Sequence, residues 1–138
     1  MLQKGTILEY KRCYGLFYHY AMYIGDNKVI HRDKTNVFSF GHIYITELDK
    51  MRGVCRVVPL HMHRVSTEKA IERAYELITK DNTYNVLTNN CEHFVNFVRY
   101  NNRISKQVQF IKKCIVFGIY GLFIYKTHVQ DSCARLMY

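Results

Sequence analysis

The sequence predicts an α+β domain, and three observations predict it. Short β-favouring runs crowd the first 58 residues, and the sole proline, Pro59, closes the last of them. Apolar residues then recur at helical spacing over 67–80. A second helix opens at 91, behind an asparagine able to cap it. The length of 138 residues suits one domain of ordinary size, and a 49% apolar composition is enough for a core.

Thr6–Tyr10 reads as a short strand, followed by a turn-like stretch, Lys11–Gly15. Phe17–Gly25 is rich in aromatic and β-favouring residues and reads as a long strand. Gly25-Asp26-Asn27-Lys28 is a hairpin turn signal, and Val29–Arg32 is the return strand. A turn this short can bring His19 and His31 to nearby positions on paired strands. Residues 33–53 read as a loop containing a strand at Ile43–Ile45, and Val54–Val58 is a further strand. Ser66 caps a helix over 67–80 whose apolar stripe is Ala70, Ile71, Ala74, Tyr75, Leu77 and Ile78. Asp81-Asn82-Thr83 stops it, and Tyr84–Leu87 reads as extended. The second helix carries a stripe of Cys91, Phe94, Val95 and Val98 and ends near Tyr100-Asn101-Asn102.

The last third has a different composition. Residues 1–98 hold 13 Lys/Arg and 10 Asp/Glu, whereas residues 99–138 hold 7 and 1, so most of the +9 net charge lies at the C-terminal end. Ile104–Lys113 reads as a basic helix, followed by the uncharged run Cys114–Tyr125. Twelve helical residues cover roughly 18 Å, short of a hydrocarbon core of about 30 Å. The expectation is a domain over 1–102 and a basic, apolar tail over 103–138. Residues 104–126 would lie on a membrane surface as an interfacial anchor. A buried C-terminal helix is the plainer alternative.

Five cysteines (13, 55, 91, 114 and 133) form no C-x-x-C pair, and the start of the chain lacks an apolar leader. Free thiols in a reducing, cytoplasmic compartment are expected. His61-x-His63 comes nearest to metal-ligand spacing but has no partner cysteine or carboxylate nearby, so neither metal nor cofactor is expected.

Asn90-Cys91-Glu92-His93-Phe94-Val95 is the most informative segment. A cysteine at the start of a helix faces partial positive charge and unpaired N–H groups, and both favour the thiolate. His19 and His31 can supply a base and a group that orients it. Glu92 should point away from the thiol, because its charge opposes the thiolate, and His93 should be structural. A buried, inert core cysteine is the plain alternative for Cys91.

His19-Tyr20-Ala21-Met22-Tyr23-Ile24-Gly25-Asp26, then Val29-Ile30-His31, then Asn90-Cys91-Glu92-His93-Phe94, resembles the lecithin:retinol acyltransferase family, in its phospholipase A/acyltransferase branch. The resemblance covers most of the chain. Tyr20 stands where that family usually has tryptophan. It implies a circularly permuted, papain-like (NlpC-type) fold, with an antiparallel sheet carrying the histidines and a helix presenting the cysteine. It also implies Cys91 as nucleophile, His19 as general base and His31 as its orienter, acting on membrane glycerophospholipids. Two other classes fit the same motifs. A non-catalytic module could use the basic tail to bind RNA. A cysteine peptidase or amidase could use the same fold.

Overall fold

The computed structural model describes residues 2–12, 14, 17–34, 41–60, 64–81 and 83–135, with side chains to 121. The His61-x-His63 spacing lies outside them, as does part of the 33–53 loop. Among the described residues the architecture is α+β: five antiparallel strands and three α-helices. Strands β1 (Ile7–Arg12), β2 (Phe17–Gly25), β3 (Lys28–Asp33), β4 (His42–Glu47) and β5 (Cys55–Val58) form one sheet in the order β4-β3-β2-β1-β5. Helices α1 (Thr67–Lys80) and α2 (Cys91–Tyr100) follow, then α3 (Lys106–Arg135).

The hairpin between β2 and β3 fixes the rest of the sheet. Asp26 and Asn27 both take left-handed backbone angles, φ 50° and 56°. Two such residues in succession make the turn whose twist matches that of the flanking strands. The pairing that results sets Ala21 opposite His31 and Met22 opposite Ile30. β1 runs two residues further than expected, because Lys11 and Arg12 still pair with Tyr18 and Phe17 instead of turning.

Strand alternation gives the sheet two apolar faces. Ile7, Met22, Ile24, Ile30 and Ile43 pack with Ala70 and Ala74 of α1 and with Phe94, Val95 and Val98 of α2. Leu8, Tyr10, Ala21 and Val29 form a smaller cluster on the other face. α1 has the expected bounds, and the Ser66 hydroxyl accepts the Lys69 N–H as its cap. Tyr75 departs from the expected stripe and is exposed.

Tyr84–Leu87 is not extended. The Asn85 side-chain oxygen accepts the N–H groups of Leu87 and Thr88, which curls the chain into a turn closed by a bridge between Asn85 and Asn89. Asn101, at φ 57°, ends α2 in the left-handed conformation usual for such caps.

The chain divides into two compact units, Met1–Ser105 and Lys106–Tyr138. In the second, the basic stretch and the apolar run form one continuous helix, since the two lysines between them are good helix formers. Its 30 residues make a rod of about 45 Å. Phe110, Ile115, Val116, Phe117, Ile119 and Tyr120 are exposed on it. Among the described residues, no helix is long and apolar enough to cross a membrane.

Candidate active site

The hairpin brings His19 and His31 together. They are diagonal neighbours on paired strands, since His31 lies opposite Ala21, two residues from His19. Both are buried, and His19 Nε2 lies 3.0 Å from His31 Nδ1 with the rings nearly perpendicular. His31 Nε2 lies 3.0 Å from Thr46 Oγ1 on β4. A side-chain relay thus runs across three strands, from β2 through β3 to β4. Asp33 adds a carboxylate oxygen 4.0 Å from His19 Nε2.

Thr46 and Asp33 were not among the residues expected from the sequence. Each is an ordinary strand residue, and only strand pairing reveals its neighbours. His19, His31 and Asp33 also offer three ligand atoms within 4.8 Å of one another, a spacing that can hold a cation. A metal bound there would have to replace the hydrogen bond between the two rings.

Burial is the main electrostatic influence on both rings. It pushes His19 down to about 4, assisted by the neighbouring His31 and opposed by Asp33. Burial likewise pushes His31 down to about 4. Both imidazoles are therefore neutral at pH 7.

Cys91 is the first residue of α2. The Asn90 side-chain oxygen accepts the N–H groups of Glu92 and His93, at 3.0 and 3.1 Å. The His93 ring accepts the Asn90 N–H in return, completing a reciprocal cap. His93 is structural, as expected. The Cys91 N–H is left at the helix mouth without an intrahelical acceptor.

Glu92 is buried. It is 3% exposed and accepts the Ser105 hydroxyl at 2.5 Å. Ser105 also lies within reach of the Asn90 amide, which donates to the Val86 carbonyl and so ties the cap to the preceding turn.

The expected thiolate is corrected by burial. Cys91 is 6% exposed, and burial pushes its thiol up to about 11. The Tyr20 and Glu92 backbone amides pull it down, while Asp33 and Glu92 push it further up. The stabilising effect of the helix start is real but smaller than the cost of burying a charge. Cys91 rests as a neutral thiol.

The Cys91 Sγ meets the sheet at a fork. The β2–β3 ladder ends at Ala21 and His31, and beyond it residues 17–20 of β2 pair only with β1. Sγ lies there, 3.9 Å from the Tyr18 carbonyl oxygen. α2 packs on the Met22 and Ile30 face, whereas alternation puts His19 and His31 on the face of Tyr10 and Ala21. Thiol and imidazole thus approach the fork from opposite sides, and in this state Sγ bonds to the backbone beside His19 and not to its ring.

Arg32 anchors the helix side of the fork. It is 1% exposed, pairs with Asp81 at 2.6 Å, donates to the Asn89 side chain and lies over the Phe94 ring. A charge this deep is tolerated only with such partners.

Residues 1–104 match the family model described as lecithin retinol acyltransferase. The chain belongs to that family. Human phospholipase A and acyltransferase 1 is 30% identical over 137 residues, covering 78% of this chain and 79% of that protein. Mouse phospholipase A and acyltransferase 3 is 29% identical, covering 86% and 82%. Mouse lecithin retinol acyltransferase is 27% identical, covering 77% of this chain and 58% of its own length. The matched region contains the whole sheet, α1, α2 and the fork between β2 and β3, and the five-stranded antiparallel sheet with its helices is consistent with this family.

Proposed function

We propose that this member of the family is a thiol-dependent phospholipase A/acyltransferase in which Cys91 carries the acyl group as a thioester. The observation that carries the reading is the relay Thr46–His31–His19, ending beside the fork that holds the capped Cys91. The tautomers follow from the role. His31 Nε2–H donates to Thr46 Oγ1, so His31 Nδ1 accepts from His19 Nε2–H. The Nδ1 of His19 is then the basic nitrogen, directed to the thiol once the ring turns into the fork. Catalytic hydrogen bonds are often long before substrate binds.

Because Cys91 and His19 are both neutral, the proton moves during attack. Sγ bonds to the ester carbonyl carbon as its proton passes to His19 Nδ1. The Cys91 N–H faces the oxyanion that develops. Collapse breaks the carbon–oxygen bond, and the lysophospholipid alkoxide leaves with the proton from His19. Water, an amine or a lysolipid then attacks the thioester, giving its proton to His19, which returns it to the departing sulfur. The tail over 103–138 serves as a cytoplasmic membrane anchor, raising the local concentration of lipid substrate at the 1–102 domain. Its exposed apolar side chains and its lysines support an interfacial position.

The test is intact-protein mass spectrometry after incubation with phosphatidylcholine vesicles, comparing wild type with Cys91→Ser. A fatty-acyl mass gain on wild type, removed by hydroxylamine and absent from the variant, is expected. A folded, vesicle-bound wild type that gains no acyl group and releases no fatty acid would sink the reading.

A further inference from the structure

A second polar site lies at the other end of α2. An open groove of about 540 Å³ is lined by Arg64, Val65, Ser66, Thr67 and Arg99. Arg99 is eight residues beyond Cys91, roughly 12 Å along the helix axis, so this groove is distinct from the fork. It lies at the N-terminus of the 14-residue helix α1. Ser66 takes the Lys69 N–H, which leaves those of Thr67 and Glu68 at the mouth without intrahelical acceptors.

Arg99 supplies an independent observation. Its side chain is 2% exposed, yet Nε has no hydrogen-bond partner, while Nη1 donates to the Val65 carbonyl. A buried guanidinium with an unmet donor is costly unless an acceptor reaches it. The groups near it are Arg64, whose charge adds to its own, and Tyr100 and Glu68, which act in the opposite sense. Gly5, at φ 81°, brings the chain close on a third side. A Cβ there would stand 3.1 Å from the Arg99 guanidinium carbon and 3.1 Å from the Thr67 hydroxyl. The groove thus combines two guanidinium groups, a hydroxyl and a helix N-terminus, a set of donors suited to a tetrahedral oxyanion.

We propose that this groove binds a phosphate group, separately from the acyl-transfer centre. The phosphate can belong to a lipid headgroup or to a soluble phosphate compound, and the chemistry is the same for both. The inference stands whether or not Cys91 is a nucleophile.

Calorimetric titration of the full chain with inorganic phosphate tests it, alongside vesicle binding with and without phosphatidic acid. Arg64→Gln, at an exposed position, and Arg99→Lys, which keeps the charge, should each weaken binding about tenfold or more through lost charge-assisted hydrogen bonds. Saturable binding of inorganic phosphate assigns a soluble source. Arginine-dependent binding seen only with phosphatidic acid vesicles assigns a headgroup. Affinities unchanged in both variants, or no binding of either probe to the folded wild type, overturn the proposal.

Discussion

Thr46→Val tests whether the relay positions His19 or merely fills space. Valine matches threonine in shape but removes the oxygen 3.0 Å from His31 Nε2. A buried N–H stripped of its acceptor costs about 1–3 kcal/mol. Thr46 is half-buried, so water can replace part of the bond, and the lower part of that range, about 1–2 kcal/mol, applies. At 1.36 kcal/mol per tenfold, kcat should fall about 5- to 30-fold. KM should move little, because Thr46 lies behind His31 and away from the fork. The assay is fatty acid release from phosphatidylcholine in mixed micelles, with kcat and KM resolved. Thr46→Ser restores the oxygen and should restore the rate. Histidine ¹⁵N spectra should place the proton of His19 on Nε2 in wild type and show both tautomers in Thr46→Val. Wild-type kcat in Thr46→Val, or a Thr46→Ser protein as slow as Thr46→Val with unchanged melting, would refute the positioning argument.

Acid should destabilise the protein through its histidines. His19 and His31 sit near 4 when folded against an ordinary value of 6.5, so between those values the unfolded chain binds protons that the folded one does not. Stability therefore falls as pH drops through that window. His31→Gln should flatten the dependence of melting temperature on pH between about 6.5 and 4, and an unchanged slope would count against burial as the cause. Alkali acts through the thiol. Cys91 is raised from 9 to about 11, so stability should fall as pH rises across that interval, and less so in Cys91→Ala. Asn90→Ala removes the acceptor for two N–H groups and should cost about 0.5–2 kcal/mol, seen as a melting temperature lower by several degrees. Asn90→Asp keeps that oxygen and should recover most of the loss.

What the sequence made legible is what short-range chemistry determines. The Asp26-Asn27 turn, the Ser66 cap and the Asn90 cap all depend on residues within a few positions of one another, and all three are where they were expected. The pairing of His19 with His31 could be anticipated because only a two-residue turn separates their strands. Thr46 could not, because β4 reaches β3 through a longer connection whose register carries no local signal. The state of Cys91 misled for a related reason. A helix start is visible in sequence, but the burial that outweighs it depends on how α2 docks on β2 and β3. Tyr84–Leu87 has β-favouring residues, yet one asparagine side chain decides its path.

On the proposed mechanism, the fork limits how far this fold can be stabilised without loss of chemistry. Continued in register, β2 and β3 would next join Tyr20 to Arg32 and His19 to Asp33. Those two rungs are missing, and the tip of α2 stands at the gap. A variant that zipped the strands together would gain ladder bonds and resist heat better, but it would shut the thiol out from the imidazole. Thermal robustness and turnover thus pull on the same two rungs in opposite directions.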